Sequence, residues 1–267
     1  MERDEAMSAS AVAENFSATL RLWGALPTSR AEARGPCLFV STGTAIPDQN
    51  YAYCPVEEDA EENVRSSARF FREERMPFTW WFPPGTRGER FRRALEEQRM
   101  PERCAPPAML MALDAPAERA HHSAERTVCK AVSSAEAEEW ACSSLEGFDS
   151  GPEHQGPFSA FCTSLLVPPF DEAFRLLTLR VGGRAAATAL LSLTGEVAGI
   201  YYFSTLPAFR RRGLGRLLLS EALEEARRSD CCTAVLQASS MGFPLYKKAG
   251  FAVCGHFAVH SADPDAC

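Results

Sequence analysis

The sequence predicts an α+β fold, and three observations carry that expectation. Short apolar runs bounded by turn residues recur at 174–181, 185–193, 197–204 and 233–238. Arg180, Gly182, Gly183 and Arg184 separate the first two, which makes them neighbouring strands joined by a turn. Between the last two lies a charged amphipathic stretch, from about Gly213 to Arg228, long enough for a crossover helix.

The remaining elements follow from periodicity and punctuation. Phe16, Leu20 and Trp23 share one side of a helix around 10–26, closed by Pro27. Residues 37–43 read as a strand, and 58–75 as a helix with Val64, Ala68 and Phe71 inward. The aromatic run at 76–85 ends in turn residues, and helical spacing returns at 87–99. A strand at 109–113 precedes an aperiodic stretch at 114–124, which reads either as a boundary between a domain at 1–125 and one at 126–267 or as an inserted surface loop. After a strand at 128–132, Ser133 and Glu136 stand at capping-box spacing and open a helix through about Leu145. Residues 147–169 look loop-like. In the 213–228 helix Leu214, Leu218 and Ala222 recur every fourth residue, widened by Leu219, Leu223 and Ala226. A short helix at 243–250 and a final hairpin at 252–260 end the pattern.

Composition narrows the function. The chain has 267 residues, 46% apolar and 24% charged, which provides core material for one large or two ordinary domains and excludes wholesale disorder. A net charge of -7 disfavours non-specific nucleic-acid binding. No segment approaches the roughly 20 apolar residues that cross a bilayer, and MERDEAMSAS does not resemble a secretory leader. The expectation is a cytoplasmic protein with no membrane partner. Ten cysteines form no CxxC pair, and with five histidines they give no zinc motif, so most are expected as reduced thiols and no metal is expected.

The strongest chemical signal is the segment from Thr205 to Gly215, TLPAFRRRGLG. A strand precedes it, Pro207 marks the turn, and the amphipathic helix follows. Backbone N–H groups at a helix start suit a diphosphate, glycines at 213 and 215 let the backbone approach it, and Arg210, Arg211 and Arg212 add positive charge. A dinucleotide fingerprint fits poorly, because Arg211 occupies its first glycine position.

With the downstream strand and the Tyr246-containing FPLYKKAGF segment, this order resembles the GNAT acetyltransferase superfamily over roughly residues 126–260. The resemblance implies a mixed central sheet with two splayed parallel strands, at 197–204 and 233–238, between which acetyl-CoA lies. Phe203, Ser204, Thr205, Arg210, Arg211, Arg212, Gly213, Leu214, Gly215, Arg216, Ser239 and Tyr246 are then its cofactor-binding candidates. The upstream PFTWW segment resembles the front half of longer members, which implies an N-terminal degenerate GNAT-like or accessory domain.

The implied reaction is direct attack of a primary amine, from a small molecule or peptide, on the acetyl thioester. Tyr246 is the candidate general acid, against a packing role in an apolar segment. Glu196 is the candidate base, against a solvated turn residue, with water as the other proton acceptor. Trp80 and Trp81 are candidates for substrate binding, against core packing. A catalytically decayed acyl-CoA-binding regulatory or structural protein is the alternative function.

Overall fold

The computed structural model describes residues 2–86, 88–113, 126–264 and 266. In chain order the first elements are α1 (Glu2–Gly24), β1 (Arg30–Arg34), β2 (Cys37–Ser41), β3 (Asn50–Tyr53), α2 (Ala60–Glu74), β4 (Thr79–Phe82), α3 (Glu89–Glu97), β5 (Glu102–Cys104) and β6 (Pro107–Ala112). They continue with β7 (Arg126–Lys130), α4 (Ser134–Gly147), α5 (Gln155–Ser164), β8 (Phe174–Val181), β9 (Arg184–Thr194) and β10 (Val197–Thr205). The last are α6 (Leu214–Arg228), β11 (Thr233–Gln237), α7 (Phe243–Ala249), β12 (Ala252–His256) and β13 (Ala258–His260).

Two compact units result, one over 1–109, 237–241 and 253–267, the other over 110–236 and 242–252. The expected boundary stretch, 114–124, lies outside the described residues.

The first unit holds a six-stranded sheet ordered β1-β2-β3-β4-β13-β5. Its β1, β2 and β3 are antiparallel, whereas β3 and β4 are parallel, with α2 as the crossover. Aromatic burial holds it together. Phe16 of α1 stands 5.6 Å from the Tyr53 ring, 5.2 Å from Trp81 and 5.4 Å from Phe257. Cys37 and Cys54 flank the β2–β3 register, beside Leu38↔Tyr53, and are joined as a disulfide with Cα atoms 4.3 Å apart. This pair corrects the expectation of reduced thiols there. It depends on the hairpin register, which spacing alone does not reveal.

The seven-stranded sheet is ordered β12-β6-β11-β10-β9-β8-β7. β7 through β10 run antiparallel, and β10 and β11 are parallel around α6. The fold is α+β with a mixed sheet, as expected. It also contains a repeat that no residue pattern displayed. β1-β2-β3-α2-β4-α3 and β8-β9-β10-α6-β11-α7 have the same order and the same sense of pairing.

Two expectations change. Residues 147–169 are not simply loop, because α5 buries Phe158, Phe161 and Cys162 to within 1% exposure. Gly156 and Pro157 had blurred its pattern; proline is tolerated in a first helical turn. The expected closing hairpin at 252–260 divides instead: β12 joins the seven-stranded sheet, while β13 inserts between β4 and β5.

That insertion gives a stability test. Phe257 is fully buried against Phe16 and Trp81. Phe257→Ala is expected to cost about 3–5 kcal/mol, measured by denaturant melts on tryptophan fluorescence. An unchanged midpoint would show that the tail contributes nothing to the first unit.

Candidate functional site

The site begins where two paired strands part. β10 and β11 match at Val197↔Thr233, Ala198↔Ala234 and Gly199↔Val235, and the ladder then stops. β10 runs on to Thr205, so its backbone from Ile200 onward has no strand on that side among the described residues. On the other side, its pairing with β9 steps from Tyr201↔Leu190 to Ser204↔Thr188, one residue more on β10 than on β9. Tyr202 lies in this bulge at φ +46°, with its ring 5.5 Å from Phe158 of α5 and 6.3 Å from Trp140 of α4. A bulge bends a strand and raises its twist, which turns β10 away from β11.

Beyond the open edge comes the arginine turn. A 3-10 turn covers Pro207–Phe209, Arg211 has φ +61° and Gly213 has φ +74°. α6 then starts, with Leu217 N–H donating to Gly213 O as an early helical bond. The N–H groups of Leu214 and Gly215 precede that bond, and the positive end of the helix dipole coincides with them. No acid occupies the first turn of α6. Arg211, Arg212 and Arg216 are exposed, with the Arg212 guanidinium 5.5 Å above the Phe209 ring.

The two glycines have different reasons. Gly213 is required by its left-handed backbone, since open space surrounds it. A Cβ on Gly215 would meet Thr205 Oγ1 and Leu245 Cδ2, both at 3.5 Å, so only a larger side chain would fill that approach.

Several candidates serve differently from the expectation. Arg210 does not face the loop's open side: its Nε donates to Thr205 O at 3.0 Å and its Nη2 to Gly147 O at 2.9 Å. Ser204 is buried, its Oγ 2.9 Å from Thr188 Oγ1, which leaves its backbone for any ligand. Leu214 buries its side chain, so only its N–H is available. Ser239 is exposed, in the 237–241 segment of the first unit.

Tyr246 of α7 is 6% exposed, with its ring 5.9 Å from Phe203 of β10 and 5.8 Å from Phe251. The contact with Phe203 puts the tyrosine beside the unpaired length of β10. Burial pushes its phenol well above the ordinary range, because the phenolate would lose its hydration. Tyr246 therefore stays protonated at neutral pH.

Glu196 lies away from the opening. It is exposed in the turn before β10, and its carbonyl accepts from the N–H groups of Cys232 and Thr233. The three ladder pairs lie between it and the opening, about 10 Å at strand rise. Its carboxylate belongs to the closed end of the strand pair, with Oε2 3.6 Å from Cys232 Sγ.

Trp80 is 0% exposed, and its Nε1 donates to Ser67 Oγ at 3.0 Å among Phe39, Phe82 and Phe91. A substrate has no surface of Trp80 to touch. Trp81 is half-buried, its Nε1 donating to Thr79 Oγ1.

Sequence reasoning missed Gly147, the last residue of α4. A Cβ there would stand 2.1 Å from Ser204 Oγ and 2.7 Å from Ser204 Cβ. α4 thus ends in near contact with β10. A cavity of about 280 Å³ opens nearby, lined by Cys142, Leu145, Glu146, Asp149, Gln155 and Pro207. Among the described residues, no group of three or more His, Cys, Asp or Glu could hold a metal ion.

The repeat in the first unit has the same turn with opposite chemistry. Asp59, the N-cap of α2, has φ +52°, but Glu61 and Glu62 follow it and Glu57 and Glu58 precede it. Its strands also stay together, from Tyr51↔Thr79 through Tyr53↔Trp81 to the Cys54 N–H on Trp81 O.

Residues 135–251 match the model of the Acetyltransferase (GNAT) family. No curated protein matches the chain. Solved structures share the fold across nearly all of it. A GCN5-related N-acetyltransferase from Kribbella flavida has 17% identity and a TM-score of 0.67, covering 94% of this chain and 96% of its own. Another, from Sphaerobacter thermophilus, has 16% identity and a TM-score of 0.62, covering 93% and 86%. A tandem GNAT protein from the clavulanic acid biosynthesis pathway has 14% identity and a TM-score of 0.58, covering 94% and 88%.

The sign of one substitution tests the close approach of α4 to β10. Alanine outranks glycine in a helix by about 1 kcal/mol, so Gly147→Ala would stabilise if space allowed. The overlap with Ser204 reverses this, and a loss of about 1–3 kcal/mol is expected. A raised thermal midpoint would refute the contact.

Proposed function

We propose that this protein transfers an acetyl group from acetyl-CoA to a primary amine, with the cofactor along the open edge of β10. The observation that carries this reading is the ladder that stops at Gly199 and Val235 while β10 continues into the arginine turn. An amide-rich arm finds backbone partners along the side of Ile200–Ser204 that β11 leaves open, much as an added strand would. A diphosphate finds the N–H groups of Leu214 and Gly215, with Arg211, Arg212 and Arg216 around it. The match of residues 135–251 to the acetyltransferase family supports the same assignment.

The chemistry then needs few protein groups. The neutral amine nitrogen attacks the thioester carbon, the C–S bond breaks, and the nitrogen loses its extra proton. Tyr246, held protonated by burial, donates to the departing CoA sulfur. With Glu196 at the closed end of the strand pair, the amine proton passes to water. The cavity beside α4 is the acceptor's approach, and Glu146 and Asp149 on its wall favour a cationic amine in a small molecule or peptide. The first unit is read as a degenerate copy: its strands leave no opening, and its acidic turn repels phosphate.

Three measurements test this. Titration calorimetry should find one CoA per chain, and Gly213→Val should weaken binding at least tenfold, about 1.4 kcal/mol, while the fold persists. Unchanged affinity in the folded variant would remove the phosphate site. A panel of primary amines, followed by release of free CoA, should find turnover, whereas a decayed binding protein would bind CoA without it. Tyr246→Phe keeps the ring and is expected to lower kcat by roughly 100-fold or more, with acetyl-CoA affinity nearly unchanged. Wild-type kcat under rate-limiting chemistry would leave Tyr246 a packing residue only.

A further inference from the structure

Arg210 opens the arginine turn, yet it bonds away from the turn's exposed side. Its Nε reaches the carbonyl of Thr205, the last residue of β10, at 3.0 Å. Its Nη2 reaches the carbonyl of Gly147, the last residue of α4, at 2.9 Å. Helix-terminal carbonyls lack partners within the helix, and a cation there also suits the negative end of the dipole. Gly147 comes so close to β10 that a Cβ would overlap Ser204, so the guanidinium closes a junction that has no room for another side chain. Leu145 and Glu146 from this last turn of α4 face Pro207 of the arginine turn across the 280 Å³ cavity.

We propose that Arg210 is a positioning residue that ties α4 to the end of β10 and so fixes the acceptor cavity against the cofactor turn, rather than a phosphate ligand. This role in catalysis rests on the acyl-transfer reading; the tie itself does not. Two donors in one rigid plane reach two carbonyls from different elements, which a lysine ammonium reproduces only in part.

The test uses the full chain with Arg210→Gln and Arg210→Lys, and reads amide hydrogen exchange and CoA binding separately. Phe148 and Ser150 donate their N–H groups to Ser144 O and Leu145 O in the last turn of α4. In Arg210→Gln their exchange is expected to quicken about tenfold or more, with partial recovery in Arg210→Lys. The salt dependence of CoA binding should match that of the wild type. For the fastest amine of the panel, KM should rise about fivefold, with KM for acetyl-CoA within about twofold. Unchanged exchange at the end of α4 would overturn the tie. CoA affinity at least tenfold lower than the wild type's with a weaker salt dependence, the marks of a lost phosphate contact, would overturn the positioning role. A wild-type chain that binds no CoA would remove the acyl-transfer reading, and exchange would then decide the tie alone.

Discussion

A backbone that must hydrogen-bond and has lost its neighbour is the constraint on which the second unit depends. β10 pairs with β11 for three residues and then goes on alone, with the bulge at Tyr202 bending it away. Buried backbone polar groups are almost always satisfied, so an edge of this kind asks for a strand-like ligand or water. Around that edge the remaining pieces fall into place. α6 presents N–H groups beyond its far end, α7 brings Tyr246 against Phe203 beside it, and α4 and α5 hold the bulge from behind. The site is mostly main chain, and this is why few of its side chains need be polar.

The first unit makes the contrast that a designer of controls would want. Its counterpart turn has the same left-handed residue before its helix, Asp59 at φ +52° against Gly213 at φ +74°. Backbone shape is common to both turns, so under the proposed reading it is not what sets an anion site apart. Charge and an open ladder must accompany it, and α2 begins among four glutamates where the other turn has three consecutive arginines.

Much of this was legible in the residues. Alternation and turn signals located the strands of the second sheet, and the Thr205–Gly215 segment located the turn that leads into α6. The failures share a cause: each depended on a partner distant in sequence. Gly147 is an unremarkable helix-ending glycine until Ser204 is found against it. Arg210 looks like its two neighbours until the Gly147 carbonyl takes its guanidinium. Glu196 could be read as a base or as a solvated turn residue, because parallel strands have two ends and only the ladder says which one opens. The Cys37–Cys54 bridge likewise waits on a hairpin register. The internal repeat was hidden because its two copies share element order, while their turns carry opposite charges.

The strand at 258–260 has a consequence for how the chain is made. It lies between β4 and β5, whose residues precede it in the chain by about 150 residues or more. A ribosome adding about 5–20 residues per second leaves the first sheet with an open slot for the whole passage of the second half. The first unit, although begun before the second, is completed after it. During that interval the facing edges of β4 and β5 are exposed to any extended segment, and capture of the wrong strand is the natural route to misfolding. Loss of residues 258–260 would therefore injure strands made well before them.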